Sequence, residues 1–189
     1  HMGHTGKSSG DTEFAPAPRV SGEALERDVV RAANNPIIDA AMETFGGLLA
    51  ILNKHRQVIS LNTRLLEQLG VENVEKVIGF RPGEVLGCQH ANDSEAGCGT
   101  GKACRSCGAV IAIMACLDTG VCQEEECVIS TQGPNGPEEL SFSLHLAPID
   151  IDGERFVLFF LRDITQAKRR ASLERAFFHD IQNIIHALC

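Results

Sequence analysis

The sequence predicts an α+β domain built on a five-stranded antiparallel sheet, with helices over one face of the sheet. Two apolar runs at residues 48–53 and 58–62, separated by four polar residues, have the pattern of a short hairpin. Three segments of alternating apolar and polar residues follow late in the chain, and short helical segments lie between the two groups. This order of strand, strand, helices, strand, strand, strand indicates the fold class.

Two segments precede the predicted sheet domain. Residues 1–20 are rich in Gly, Ser, Pro and Thr and have no apolar periodicity, so we expect a tag followed by a disordered lead-in. Residues 21–36 predict an amphipathic N-terminal helix with Ser21 as its N-cap, because apolar residues recur at helical spacing as far as Ala33. Asn34-Asn35-Pro36 ends this helix, since proline lacks a backbone donor and disfavours helix in the residue before it.

The sheet domain itself is predicted at residues 37–165. It begins with a second short helix at residues 37–44, and after the hairpin Asn62 caps a helix that ends at Gly70. A strongly apolar helix is expected at residues 109–117. Alternation predicts the last three strands at residues 125–131, 140–149 and 156–164.

The most specific stretch is the segment 88–107, which contains four of the eight cysteines of the chain. Cys104 and Cys107 form a CxxC motif, which lets two sulfurs converge across one tight turn. Five residues separate Cys98 from Cys104, and nine residues separate Cys88 from Cys98. Four thiolates at such spacing suit a metal ion or an iron–sulfur cluster, so all four are predicted ligands.

Three interpretations of this cysteine centre remain open at the level of sequence. The spacing of Cys98, Cys104 and Cys107 is similar to the cluster loop of adrenodoxin-type ferredoxins, which favours an iron–sulfur cluster, either [2Fe–2S] or [4Fe–4S]. Zn²⁺ held by the same four thiolates would be a redox-silent structural site. A thiol–disulfide switch without metal is the third interpretation.

The other candidate ligands have simpler explanations. His90 could replace one thiolate, but a polar loop residue is the preferred interpretation. Cys116 lies on the apolar helix, where a small buried side chain is expected. Cys122 and Cys127 could form a backup pair, although core filling or a chance position is favoured for them. His145 alternates away from the apolar face of its strand, which argues against a haem ligand.

Composition excludes several classes of function. The net charge of −8 argues against a surface that binds nucleic acid or an anionic membrane, because both require clustered Lys and Arg. The longest apolar run, residues 156–161, is far shorter than the roughly twenty residues of a membrane helix, and we expect no secretion leader. These features predict a cytoplasmic protein, in which eight cysteines indicate metal or redox chemistry more than structural disulfides.

The domain at residues 37–165 resembles a PAS domain. Three segments carry the resemblance: Gly47-Leu-Leu-Ala-Ile-Leu-Asn53, Val58-Ile-Ser-Leu-Asn62 and Leu161-Arg-Asp-Ile-Thr165. Arg81-Pro82-Gly83-Glu84, which runs into the cysteines, is similar to a cysteine-bearing PAS subgroup at the front of bacterial sensor histidine kinases. The resemblance implies a sensory domain.

A single helix is predicted at residues 166–189, with apolar residues at the a and d positions of a heptad frame that suit a coiled-coil partner in a homodimer. Phe177-Phe178-His179-Asp180-Ile181-Gln182-Asn183 resembles the phosphoacceptor box of histidine kinases. The resemblance implies that His179 takes the γ-phosphoryl group of ATP and that Asp180 orients the ring or accepts its proton. Asn183 is the polar residue of the box, and a cognate response regulator is the implied partner.

The expected function is that of a sensory and dimerisation module of a cytosolic two-component histidine kinase, which senses redox, metal or gas state through the cysteine centre. Glycine-rich nucleotide motifs and an ATP-binding domain are missing from this sequence, so we expect it to be inactive alone. One alternative is a constitutive zinc-stapled PAS interaction module. Another is a small-ligand pocket beneath the helix at residues 109–117, with the cysteines supporting its wall.

Overall fold

The computed structural model describes residues 12–133 and 136–188. Five strands lie within these ranges, namely β1 (Leu48–Leu52), β2 (Val58–Leu61), β3 (Gln123–Gly133), β4 (Gly136–Ile151) and β5 (Glu154–Asp163). Six α-helices lie there as well, namely α1 (Gly22–Ala33), α2 (Pro36–Thr44), α3 (Thr63–Leu69), α4 (Pro82–Val85), α5 (Gly108–Thr119) and α6 (Thr165–Leu188). Short 3-10 helices at Val74–Lys76, Gln89–Asn92 and Lys102–Ser106 connect the middle of the chain.

The strands form a five-stranded sheet in the order β2-β1-β5-β4-β3, and every neighbouring pair is antiparallel. This architecture confirms the predicted α+β fold class. β3 and β4 are longer than predicted, because their ladder continues to the pair Gly133–Gly136 at the hairpin tip. Backbone hydrogen bonding extends these strands beyond the segments in which apolar and polar side chains alternate.

The two faces of the sheet bury different helices. On the inner face, α5 packs its buried residues, Ile113 among them, against Leu144 and Phe159. On the outer face, α1 and α2 cover the strands β1, β2 and β5, so that Ala32 and Ile38 pack with Leu49 and its neighbours. The inner face, beneath α5 and the segment that precedes it, is where Cys127 and the cysteines of the segment 88–107 lie.

Local signals explain where the helices of the domain begin and end. Asn35 and Asn62 cap α2 and α3, because each side-chain oxygen accepts a hydrogen bond from a first-turn backbone amide. Gly70 and Gly120 end α3 and α5 in the left-handed conformation, with φ of 63° and 66°. These caps hold the short helices at fixed positions around the cysteine segment.

The N-terminal segment differs from the predicted lead-in. Residues 1–11 lie outside the described part of the chain, but residues 12–20 form a segment without helix or strand whose backbone hydrogen-bonds to distant loops. Its partners include the carbonyl oxygens of Gly99 and Thr100. The composition of this segment predicts no regular structure of its own. Its position is instead fixed by hydrogen-bond partners about 85 residues away in the sequence.

The helix α6 starts directly after β5. Ser141 N donates to Thr165 Oγ1 at 2.9 Å, and Thr165 N donates to Asp163 Oδ1 at 2.8 Å, which ties the first turn to the sheet. The side chain of His179 is exposed on this helix, whereas the side chains of Asp180 and Asn183 lie outside the described ones. Within the described ranges, no helix combines the length and the apolar character that crossing a bilayer requires.

Candidate functional site

A cavity of about 250 Å³ lies between the inner face of the sheet, α5 and the segment 88–107, which we call the cysteine loop. All four cysteines of the predicted centre line this cavity. They are Cys88, Cys98, Cys104 and Cys107. The fold therefore brings the predicted ligands together around one volume.

Close packing at α4 places two of these thiols. A Cβ at Gly83 would lie 2.6 Å from Cys98 Sγ and 3.4 Å from Cys88 Cβ, so only glycine fits without a shift of the neighbouring side chains. Glu84 reaches back along the same turn and accepts hydrogen bonds from Arg81 N at 2.9 Å and Cys98 N at 3.0 Å. The Arg-Pro-Gly-Glu motif is therefore the support on which Cys88 and Cys98 rest.

The CxxC motif joins the cysteine loop to α5. Cys104 lies in the 3-10 helix before α5 and is buried, and Cys107 N donates to its carbonyl oxygen at 3.2 Å. Cys107 is the N-cap residue of α5, and its carbonyl oxygen accepts from Ile111 N at 3.0 Å. A rearrangement at these thiols would act directly on the first turn of α5.

A fifth thiol enters the cavity from the sheet. Cys127 lies on the inward face of β3, is 5% exposed, and lines the cavity with the cysteines of the loop. Cys127 is part of the buried core, as expected for core filling, whereas Cys122 is exposed and does not fill the core. The alternation along the strand indicates that Cys127 points inward. Its proximity to the cysteines of the loop, however, depends on how α5 packs on the sheet.

Burial favours the protonated thiol at Cys88, Cys98 and Cys127 in the metal-free protein. Burial raises the pKa of Cys98 to about 12 and that of Cys127 to about 12. The pKa of Cys88 is raised as well, again chiefly because the charged form is poorly solvated there. An occupant that requires thiolates must therefore supply positive charge of its own or bind where the protein supplies it.

Two buried arginines line the same cavity. Arg81 is fully buried and donates to six backbone carbonyl oxygens, and burial lowers its pKa to about 10. Arg56 is also buried and lines the cavity with Cys98 and Cys104, and burial lowers its pKa. Glu84 is the carboxylate that faces both arginines, and it is already paired with Arg19.

The described residues do not include a set of side chains arranged to coordinate a single metal ion. Over residues 12–133 and 136–188, no three side chains of His, Cys, Asp or Glu form a group that could hold a metal ion. His90 lines the cavity, but its Nδ1 is 2.7 Å from Asp93 Oδ2 and its side chain is partly exposed. The predicted ligands thus surround the cavity without converging on one point.

The two remaining histidines of interest lie away from the cavity. His145 is on the outer face of β4, where its Nδ1 is 3.0 Å from Glu124 Oε1 and its ring contacts Phe160 edge to face. His179 is on the exposed surface of α6. Neither therefore shares a site with the cysteines.

A sheet of this topology with helices over its inner cavity defines a domain of the PAS class. The family model described as "PAS fold" matches residues 42–169, and the chain therefore belongs to the PAS fold family. This assignment confirms the predicted PAS domain, a sensory class of domain. No curated protein matches the chain.

Solved structures give low-identity likenesses to PAS domains. The PAS domain of an HTR-like protein from Haloarcula marismortui is 17% identical, with 68% of this chain and 95% of that chain covered and a TM-score of 0.43. The PAS domain of nitrogen regulation protein NR(II) from Vibrio parahaemolyticus is 12% identical, with 69% and 100% covered and a TM-score of 0.48. A PAS domain from a two-component sensor histidine kinase is 10% identical, with 75% and 99% covered and a TM-score of 0.40. The family assignment rests on the family model and not on these likenesses.

Proposed function

We propose that this PAS domain is the sensory module of a two-component histidine kinase and that the cysteine-lined cavity holds its signal-responsive centre. The observation that carries the proposal is that five thiols and two buried guanidinium groups face one cavity. Apolar ligand pockets need neither feature. A centre with several thiolate ligands needs both, because the thiolates bind metal and the arginines offset their charge.

Charge balance supports thiolates in the assembled centre. Arg56 and Arg81 are buried, and Arg19 already neutralises the carboxylate of Glu84. Buried cations without a compensating anion are strongly unfavourable. Thiolates of Cys98 and Cys104 would supply that anion when a metal centre assembles.

The spread of the sulfurs favours a cluster over a single ion. Zn²⁺ binds thiolates at about 2.3 Å, which requires four sulfurs to converge tightly on one point. The cysteines line a cavity of about 250 Å³ and form no such group among the described residues. An iron–sulfur cluster places its own iron and sulfide atoms between the ligands and so suits more widely separated thiols. We therefore propose an iron–sulfur cluster, with Zn²⁺ as the alternative.

The proposed output is the helix α6. Thr165 ties its first turn to the sheet, and His179 lies exposed further along the same helix. A change in the cysteine centre would shift α5 and the sheet, and α6 would carry the shift to His179 in a homodimer. Phosphoryl transfer from His179 to a cognate response regulator would follow in the complete kinase.

Metal and sulfide analysis of anaerobically purified protein, with its absorption spectrum, tests the centre. We expect iron with acid-labile sulfide and visible absorption, which Cys98→Ser and Cys104→Ser abolish. Cys116→Ser is the matched control, because Cys116 is buried on α5 and does not line the cavity. One zinc per chain without colour would support the alternative. Protein that contains neither metal would contradict a metal centre and leave a thiol–disulfide switch or a small-ligand pocket as the role of the cavity.

A further inference from the structure

The N-terminal segment 12–20, which we call the strap, lies across the cysteine loop. Glu13 N donates to Thr100 O at 2.9 Å, and Ala15 N donates to Gly99 O at 3.0 Å. Both acceptors lie between Cys98 and Cys104 in the sequence. The strap is therefore held against the part of the loop that carries these two thiols.

One strap residue covers a thiol directly. Ala15 is 2% exposed and packs with Cys104 and Val110 in a small apolar cluster. Cys104 itself is 6% exposed. Shielding of this thiol from solvent thus depends in part on a segment almost ninety residues away in the sequence.

Arg81 connects the strap to the cysteine loop. Its guanidinium group donates six hydrogen bonds of 3.0–3.3 Å to carbonyl oxygens on three segments. The acceptors are Pro16, Ala17 and Pro18 in the strap, Ala96 and Cys98 in the loop, and His55 in the hairpin. Because a buried guanidinium group is costly without its acceptors, strap docking and loop conformation depend on each other.

Polar tethers hold the two ends of the strap. Arg105 donates to Glu13 O at 2.6 Å and to Glu13 Oε2 at 3.0 Å, and both side chains are exposed. At the other end, the Gln57 side chain bonds both the amide and the carbonyl of Val20 at 2.9 Å. The strap is also bonded by the buried Gln57 and Arg81, but Ala15 is its one buried side chain, whereas the strands bury many, so we expect the strap to open at lower free energy than the sheet.

We propose that the strap is an opening cover of the cysteine cavity, which controls the access of thiol reagents and oxidants in solution to Cys104. Opening would break the bonds to Gly99 and Thr100 and remove Ala15 from the thiol, and docking would restore them. That this access regulates sensing rests on the proposed function. The proposal that the strap covers Cys104 does not depend on the proposed function.

Pulse labelling of the reduced, metal-free full chain with N-ethylmaleimide, followed by peptide mass spectrometry, tests the cover. In the wild type we expect the exposed Cys122 to react quickly and the buried Cys104 and Cys116 slowly. Ala15→Glu should raise the labelling rate of Cys104 about tenfold or more, since the rate follows the population of the open state. Phe14→Glu places the same charge on the neighbouring exposed side chain and should leave Cys104 close to its wild-type rate.

Arg105→Gln gives a second, milder test, because it removes an exposed tether and leaves the core intact. We expect a selective rise of about threefold in the labelling of Cys104, with Cys116 unchanged. Wild-type Cys104 that reacts as fast as Cys122 would overturn the proposal. The proposal would also be overturned if Cys104 were labelled at the wild-type rate in both Ala15→Glu and Arg105→Gln. It would equally be overturned if the labelling rate of Cys116 rose together with that of Cys104 in both of these variants. Because this protein is metal-free, absence of a native metal would refute the proposed centre without altering these results.

Discussion

Glu126 on β3 and Lys168 in the first turn of α6 form an ion pair, with Oε2 and Nζ 2.5 Å apart. Glu126 immediately precedes the cavity thiol Cys127. A Cβ at Gly108, where α5 leaves the cysteine loop, would overlap the carbonyl oxygen of Glu126. The end of the cysteine loop, β3 and the start of α6 therefore meet at one place.

The ion pair itself should contribute little to stability. Both side chains are about half exposed, so a double-mutant cycle with Glu126→Gln and Lys168→Gln should give a coupling free energy below about 1 kcal/mol. Urea denaturation at low and high salt measures it, and the coupling should shrink as salt increases. A larger coupling that salt does not reduce would contradict this account of the contact.

Gly83→Ala should destabilise the domain. The new methyl group would lie 2.6 Å from Cys98 Sγ, and relieving such an overlap costs about 1–3 kcal/mol of the free energy of unfolding. Gly46→Ala is the matched control, because no atom lies within 4 Å of a Cβ at that position. Denaturant unfolding compares the two variants, and equal stability would show that Gly83 does not constrain the cysteines.

The stability of the metal-free protein should fall in alkaline solution. Burial raises the pKa of Cys127 from 9.0 to about 12, so the folded protein holds this proton more tightly than the unfolded chain does. The resulting stabilisation is fully present below about pH 9 and is lost as the pH rises toward 12. Cys127→Ala should therefore lose less stability than the wild type between neutral pH and pH 11.

Urea denaturation under reducing conditions at a series of pH values measures this difference. Cys122→Ala is the control, because it removes an exposed thiol that does not line the cavity. If Cys127→Ala and the wild type lose stability in parallel, the thiol is not buried as the structure has it.

His179→Gln should abolish phosphorylation in a kinase that combines this chain with an ATP-binding domain. Glutamine retains polar character but lacks the ring nitrogen that would attack the γ-phosphate. His145→Gln is the matched control, because His145 is an exposed histidine on β4, away from α6. Transfer of labelled phosphate from ATP measures the effect, and a label retained by His179→Gln refutes the assignment.

Inserting one residue between Thr165 and Leu173 should change how the complete kinase responds to its signal. One residue rotates the rest of α6 by about 100° relative to the sheet, because a helix has 3.6 residues per turn. A seven-residue insertion nearly restores the original face and serves as the control. Kinase assays with and without signal compare the two, and an unchanged response after the single insertion would exclude rigid coupling through α6.

Much of the fold follows from local pattern. The alternation in the late strands, the apolar run of α5 and the Asn caps of α2 and α3 lead to the observed elements. The ladder between β3 and β4 extends to Gly133 and Gly136, which local alternation does not reveal. Hydrogen bonding between the two backbones decided the length of this ladder. The side-chain pattern does not show it, because nearly all residues carry the same backbone groups.

The site divides in the same way. The spacing of the four loop cysteines was sufficient to select four of the five thiols that line the cavity. Cys127 and Arg56 reach the same cavity from the sheet and the hairpin, and no sequence spacing connects them to the loop. The strap and its contacts with Arg81 were likewise missed, because a Pro- and Ala-containing segment has no internal pattern that signals its partner.

The sequence by itself determined the fold class, the PAS resemblance and the identity of the cysteines in the loop, because these depend on periodicity and short spacing. Only the tertiary structure decided that a fifth thiol and two buried arginines face those cysteines and that the strap covers Cys104. The physical reason is that burial, charge compensation and access to solvent arise between segments that are distant in sequence. Such relationships exist only once the chain has packed.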